Sequence, residues 1–446
     1  MIMGIADFLK DRISNAPNWL TEPLLHINCL GPLAFGPSML RFKKSIPTID
    51  PEKKIVDMAN YAITHVPYYR KRYRGLTIKS AHEFEEKIGF IDKDEVNRNS
   101  AEFLSDLAPS IPHITRRTSG TSGKPLHIEI PRNRYITEMA FVTRAWEHAG
   151  WNYGIRASIR KKILPPGKNY IVNPATREII FDGYRTDKEY LAMMAKVMKR
   201  NHVSSIYAYP STAFQALKLF QKHGIDISFI RHALLTSEGI SPLQYHFIEN
   251  ELGIKISSFY GHTEKLIFIE QTDINTHVIE EAYGYTEIIG PDGNPVRPGN
   301  EGELVGTTFY NRVMPLLRYR TGDYATLSDR TMPERNYSRR ILSSISGRHE
   351  KNRILRHDGS YTSSTVFEIH DEMALPIDGI QYLQERPGYM DVLVVKGLNF
   401  SSTHERKMLD HFAYAMGGEE YVKIRYVDSL IVEPNGKTLT VINRLT

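Results

Sequence analysis

Between residues 202 and 260 the chain switches between two hydrophobic rhythms. Three short apolar, β-rich runs, HVSSIYAY (202–209), RHALLTS (231–237) and IKISSFY (254–260), alternate with stretches of helical spacing. STAFQALKLFQKHG (211–224) is amphipathic and ends on glycine. SPLQYHFIENELG (241–253) is capped by Ser241, has Pro242 in its first turn and also ends on glycine. Apolar strands alternating with glycine-terminated helices predict βαβ units and a buried parallel sheet. Upstream, residues 1–100 read as mainly helical, with Pro51 opening PEKKIVDMANYAITHV at near-ideal helical spacing.

After Gly261 the pattern changes. THVIEEAYGYTEII (276–289) and EGELVGTTFY (301–310) flank PDGNPVRPGN, a loop of turn-forming residues. That is a hairpin signature and predicts a smaller antiparallel unit on the end of the α/β part. From about residue 347 a last segment has its own strands (YMDVLVV, YVKIRYV, LTVINRL) and a helix (THERKMLDHFAYAMG). The expected fold is therefore α/β: a large N-terminal domain over 1–346, with a parallel sheet and a small antiparallel unit, then an α+β domain over 347–446.

Composition narrows the class. At 446 residues, 41% hydrophobic and 24% charged, the chain suits a globular protein of more than one core. No apolar run approaches the roughly 20 residues of a membrane-spanning helix. The opening MIMGIADFLKDRISNAPNWL places Asp and Arg in a short amphipathic stretch and does not read as a signal peptide, so a cytoplasmic setting is expected. A single cysteine, Cys29, excludes an internal disulfide framework and a cysteine-rich zinc site. The net charge of +6 suits acidic small partners. Basic residues are scattered rather than gathered in a stripe, which argues against nucleic acid. The two basic runs, Tyr68 to Arg74 and Arg335 to Arg340, read as solvated faces.

Five stretches carry candidate chemistry. RRTSGTSGKPL (Arg116 to Leu126) sets two glycines among small hydroxyl residues, so backbone amides and hydroxyls can approach phosphate oxygens while Lys124 adds a charge. It lacks the Walker spacing, and a plain surface loop has the same composition; the HIEI strand that follows makes it more specific. FYGHTEK (Phe259 to Lys265) ends a predicted parallel strand, where ligands bind in open α/β sheets. Tyr260 could stack on a purine, Thr263 could reach a phosphate and Glu264 could hold a magnesium ion, or the stretch is a capped turn. TSEGIS ends the preceding strand, so both loops should open on one side of the sheet. YRTGD (Tyr319 to Asp323) closes a turn with an acid able to take both ribose hydroxyls, or is an ordinary Gly-Asp turn. ISGRHEK (Ile345 to Lys351) puts Arg348 after a glycine between the two domains, and PNGKTLTVINRL (Pro434 to Leu445) presents Lys437 on an Asn-Gly turn.

In order and approximate spacing, TSGTSGKP, TSEG, FYGHTE, YRTGD, GR and the C-terminal GK resemble the signature series of the adenylate-forming superfamily: acyl-CoA synthetases, peptide-synthetase adenylation domains and luciferases. The resemblance runs from about residue 115 to the end. HVPYYRKRY (65–73), RAWEHAGWNYG (144–154) and YAYPST (207–212) draw it toward phenylacetate–CoA ligases and CapK-type capsular-polysaccharide ligases.

The resemblance implies ATP as substrate and Mg2+ as its ion. It assigns the phosphates to Thr118, Ser119, Gly120, Thr121, Ser122, Gly123 and Lys124, and adenine to the space between Ser237-Glu238-Gly239 and Tyr260-Gly261. Thr263 and Glu264 would serve phosphate and metal, and Asp323 the ribose. Arg348 would be the hinge arginine, and Lys437 would reach the α-phosphate and the acid's carboxylate while the C-terminal domain moves as a lid. His262 and Tyr209 would touch the acid, although core packing accounts for either. Two departures stand out. Glu350 replaces the usual hinge Asp, and RILRHDGSYTSST lacks the Gly-x-x-Ile/Val pattern where coenzyme A enters, resembling instead the CapK-type "DG" variant. The acceptor stays open among coenzyme A, a sugar hydroxyl and an amine, with a lipid-linked acceptor allowing peripheral membrane contact. The expected function is adenylation of a carboxylic acid followed by transfer, in surface-polysaccharide assembly or as an aryl-CoA ligase. A nucleotide-binding regulator without turnover is the alternative from another class.

Overall fold

The computed structural model describes residues 16–27, 36–117, 126–160, 164–237, 239–240, 242–346, 353–363, 367, 369, 377–397, 400–431 and 441–445. The N-terminal part is helical, as its spacing predicts: α1 (Asn18–Leu25), α2 (Pro37–Ser45), α3 (Pro51–His65), α4 (Pro67–Arg72), α5 (Ala81–Lys87) and α6 (Lys93–Arg98). Asp50 caps α3 by accepting from the Lys53 amide at 3.1 Å, and Pro51 fills the first helical position, where no amide donor is needed. Then follow β1 (His113–Arg117), β2 (His127–Pro131), α7 (Arg134–His148), β3 (Arg156–Arg160), β4 (Tyr170–Asn173), β5 (Glu178–Asp182), α8 (Lys188–Arg200), β6 (Ser205–Ala208), α9 (Pro210–Lys222), β7 (His232–Leu235), α10 (Pro242–Tyr245) and β8 (Lys255–Gly261).

β5, β3, β6, β7 and β8 are parallel neighbours, with β4 antiparallel at the edge. α8 and α9 cover one face. Met194, Met198, Leu217 and Phe220 of these helices pack on Ala157, Ile159, Ile206 and Leu235. Each such buried side chain contributes roughly 1.5–3 kcal/mol. α7 covers the opposite face, with Trp146 and Phe141 among residues that include Leu234 and Phe268.

The antiparallel part lies on the end of the parallel part, as its pattern predicts, and continues the same sheet. β9 (Phe268–Asp273), β10 (Thr276–Ile279), β11 (Gly284–Ile289), β12 (Glu301–Thr308), β13 (Tyr319–Pro333) and β14 (Ser338–Ser346) extend it from β8 in the order β9, β10, β14, β13, β12, β11. The hairpin around PDGNPVRPGN is present, pairing Gly284 with Thr308 through Ile289 with Glu303.

Three expectations are corrected. Residues 276–289 make two strands, because Glu280 and Glu281 between them are drawn into ion pairs with Arg144 and Arg340. The helix of 241–253 narrows to α10 and a π-helical stretch, His246–Glu251, before Gly253 turns at positive φ. The run Arg335 to Arg340 is not a solvated face throughout: Arg339 is buried beside Glu270, Glu280 and Glu334, and Arg340 forks onto Glu281.

The C-terminal part forms its own sheet. β15 (Arg353–Leu355) and β16 (Tyr361–Ser363) make a small ribbon. β17 (Ile377–Arg386), β18 (Tyr389–Lys396), β19 (Val422–Tyr426) and β20 (Val441–Asn443) form a four-stranded sheet ordered β19-β18-β17-β20. On it packs α11 (Ser402–Met416), through Met408, Phe412 and Met416 against Tyr382, Val392 and Val394. The sequence pattern missed β17. Its Gln381 and Gln384 are fully buried, each hydrogen-bonding with both amide atoms to backbone of Ile431 and Leu355, so a core strand reads as polar. Among the described residues no helix is long and apolar enough to cross a membrane.

Candidate functional site

β7 and β8 run parallel and adjacent, so the loops at their carboxyl ends open on the same side, as the strand pattern requires. Ser237 follows β7 in the left-handed region, at φ 67°. β8 ends on Tyr260-Gly261, and Gly261 pairs with Phe268 across the β8–β9 hairpin. The turn between them holds His262, Thr263, Glu264 and Lys265, with Lys265 also left-handed at φ 58°. Such backbone costs an L-residue roughly 1–2 kcal/mol and persists where the surroundings over-determine it.

The surroundings of Lys265 do that. Its ammonium donates to Glu138 at 2.8 Å, and its carbonyl accepts from buried Arg134 at 3.3 Å. Glu138 also accepts from Tyr283 at 2.6 Å, and Arg134 lies 4.5 Å from the Tyr283 ring centre. Burial works against a charged Glu138, but Lys265 and Arg134 outweigh it and hold the carboxyl below the usual range. This clamp from α7 was not singled out in the sequence. Its sign there is an Arg134–Glu138 pair one helical turn apart at the start of the helix.

YRTGD does not close a turn; it lies inside β13. Between the pairs Glu303–Tyr324 and Val305–Arg320 the two strands fall out of step, leaving Thr321, Gly322 and Asp323 as a bulge with Gly322 at φ 75°. The buried Glu303 carboxylate fixes the bulge, accepting from the Gly322 amide at 2.9 Å and from Arg320 at 2.8 Å. The bulge turns Asp323 toward β8, where it accepts a 2.7 Å hydrogen bond from the Tyr260 hydroxyl. Burial, then the Asp323 charge, pushes the Tyr260 phenol well above its usual value, so it remains a donor.

A second bond joins the same two segments: the Tyr319 hydroxyl donates to Glu264 at 3.3 Å. The other Glu264 oxygen lies 3.1 Å from His262 Nδ1. Burial alone would raise this carboxyl, but His262, and Lys93 beyond it, hold it below the usual range. An ionised carboxylate with two long, weak contacts keeps lone pairs for a hard cation, which suits magnesium shared with phosphate oxygens. Among the described residues no group of three or more His, Cys, Asp or Glu gathers as a metal site. The other nitrogen of His262, Nε2, is buried without a hydrogen-bond partner among the described residues.

The structure therefore brings together Tyr260, Gly261, His262, Thr263, Glu264 and Asp323, with Ser237 and Gly239 at the end of the adjacent strand. Tyr209 precedes α9 at the carboxyl end of β6, where its carbonyl accepts from the Ala213 amide at 2.9 Å. Thr118, Ser119, Gly120, Thr121, Ser122, Gly123, Lys124, Glu238, Arg348 and Lys437 lie outside the described residues. The ends of the first stretch are placed: Arg117 pairs with His127 in the β1–β2 ladder. A crevice between β5, α8 and α9, lined by Asp182, Arg185, Thr212 and Gln215, includes none of these groups.

Residues 354–444 match the family model of the CapK C-terminal domain. The phenylacetate-coenzyme A ligase of Escherichia coli (strain K12) is 26% identical over 379 residues, covering 78% of this chain and 82% of the relative. Protein CapK of Staphylococcus aureus is 22% identical over 367 residues, covering 80% and 79%. Among solved structures, 2-hydroxyisobutyryl-CoA ligase in the postadenylation state superposes with a TM-score of 0.53 at 15% identity, over 90% of each chain. The chain is thus similar to adenylate-forming, AMP-forming ligases. Within that class its similarity is to phenylacetate-CoA ligases and CapK, the branch toward which its motifs point.

Proposed function

We propose that this protein activates a carboxylic acid with ATP, releasing pyrophosphate, and passes the acyl group to an acceptor. The observation that supports it most is the double link between the β8–β9 turn and the β13 bulge, Tyr260 to Asp323 and Glu264 to Tyr319, at the carboxyl ends of a parallel sheet. It holds an aromatic ring, a ribose-binding acid and a metal-binding acid in one frame, as a nucleotide triphosphate requires.

In this reading a carboxylate oxygen attacks the α-phosphorus, and the bond from that phosphorus to the bridging oxygen of pyrophosphate breaks. Two anions approach each other, so positive charge must be in place beforehand. Lys437 and the amide-rich loop Thr118 to Lys124 would supply it, and Glu264 would hold a magnesium ion that neutralises phosphate charge. Asp323 would hold the ribose hydroxyls, Tyr260 and Ser237 to Gly239 would enclose adenine, and Arg348 would serve as the hinge arginine of a C-terminal lid over 347–446. The acyl-adenylate then meets its acceptor. Coenzyme A is supported by the names of the relatives, and a sugar hydroxyl or amine in surface-polysaccharide assembly by the match to CapK.

ATP–pyrophosphate exchange across a panel of carboxylic acids tests the first half. Acid-dependent exchange is expected, and none with any acid would sink the reading. Adding coenzyme A, hydroxylamine or an amino sugar then separates the acceptors by product.

A further inference from the structure

Strands buried in a parallel sheet are usually apolar on both faces. β3, β5 and β6 are apolar on the face that meets α8 and α9. On the face beneath α7 the registered rows read Arg156 with Glu178 and Ser205, then Ser158 with Ile180 and Tyr207, then Arg160 with Asp182. Arg156, Ser158, Glu178 and Ser205 are all buried. Stability alone does not explain such a layer, since apolar residues of similar size are commonly as stable or better.

Arg160, half-exposed, takes the Glu178 carboxylate at 2.8 Å. Arg156, only 4% exposed, stacks on Trp146 at 5.0 Å and Tyr207 at 5.7 Å. Its Nε is 3.9 Å from the same Glu178 oxygen, and neither Nε nor Nη1 makes a hydrogen bond among the described residues. A buried cation with unfilled donors is costly unless an anion completes it. The layer runs along the strands toward the nucleotide end of the sheet. Arg160 closes β3 and Tyr207 is two residues, about 7 Å, before Tyr209, while Arg156 lies deepest, at the start of β3 four residues, about 13 Å, from Arg160.

We propose that this layer receives the non-reacting end of the acid, and that the acid carries a second anionic group there, a second carboxylate in the simplest case. The proposal rests on the adenylation reading and deepens it. An aryl or alkyl monoacid calls for an apolar lining, whereas Arg156, Arg160 and Tyr207 offer charge-assisted donors to a terminal anion.

The test uses the full chain in ATP–pyrophosphate exchange, with chain-length-matched dicarboxylic acids, their monoacid counterparts, phospho-acids and phenylacetate. Dicarboxylic or phospho-acids are expected to support exchange at lower KM than the monoacids, the better of the two showing which anion is read. Arg156→Met should raise that KM at least about tenfold while leaving the KM for ATP unchanged, with partial rescue by Arg156→Lys. Arg160→Gln, at a half-exposed position, repeats the measurement where misfolding is not a concern. Exchange with phenylacetate or alkyl monoacids that is indifferent to Arg156→Met and Arg160→Gln overturns the proposal and leaves adenylation standing. Exchange with no acid overturns the adenylation reading instead. Calorimetric binding of the diacid alone, abolished by Arg156→Met, would then still support the anion site, and absence of binding would end it.

Discussion

The hydroxyl of Tyr260 donates to the carboxylate of Asp323 across 2.7 Å, joining residues 63 positions apart from a parallel strand and an antiparallel bulge. The bond orients both groups before any nucleotide arrives. Asp323→Ala should raise the KM for ATP by about 10- to 100-fold, the scale of hydrogen bonds to a charged group. Tyr260→Phe keeps the ring and should cost less than tenfold. Steady-state kinetics with varied ATP distinguish the two, and equal losses would argue against separate ribose and adenine roles.

The Glu138 clamp predicts a pH signature in folding. Its carboxyl sits below the ordinary value of 4.5, because Lys265 and Arg134 overcome burial. A depressed acid adds stability that is complete above its unfolded value and is lost as pH falls through its folded one. Glu138→Gln should therefore destabilise the protein by about 3 kcal/mol at neutral pH, with the gap to wild type closing below pH about 4.5. Denaturant unfolding at several pH values measures it. A gap that stays constant into acid would remove the ion pair as its cause.

Leu266 and Ile267, which follow the β8–β9 turn, run directly over glycines of β11 and β12. A Cβ at Gly284 would lie 2.0 Å from the Leu266 carbonyl oxygen, and one at Gly306 2.7 Å from Leu266 Cβ. Gly284→Ala should thus cost at least about 3 kcal/mol, since backbone must move. Gly293, at φ 81° in open space, should cost only about 1 kcal/mol on the same change. Thermal unfolding of the two variants checks the order.

Lys437 is expected to act on the transition state rather than on ATP affinity. Lys437→Ala should reduce pyrophosphate exchange by at least about 100-fold, the scale of losing one preorganised charge contact. ATP binding, followed by equilibrium fluorescence titration, should change little. Loss of binding in parallel would reassign the residue.

The parallel core was legible because its strands and helices carry opposite periodicities punctuated by glycine, and because Pro51 and Pro242 mark helix starts. The motif stretches were visible in the sequence, Tyr260 and Glu264 at the end of β8 where ligands collect, whereas Asp323 lies in a bulge inside β13 rather than at a strand end. What escaped was charge that turns inward. Arg134, Glu138, Arg156, Glu178 and Arg339 look like solvent-facing residues until partners distant in the chain are seen to cover them. β17 escaped for a related reason, its glutamines being satisfied by backbone from elsewhere. The bulge at Gly322 depends on Glu303, which no local pattern in YRTGD announces.

The β8–β9 turn has a further consequence, for how such a protein can change. It is the covalent junction between the last parallel strand and the first antiparallel one, and it is pinned at Tyr260 and Glu264 by β13 and at Lys265 by α7. Adding or deleting one residue there would shift all three anchors at once. New preferences at this site must therefore be acquired by exchanging side chains at a fixed loop length; at position 262, whose Nε2 has no hydrogen-bond partner among the described residues, exchange also gives up the Nδ1 contact to Glu264.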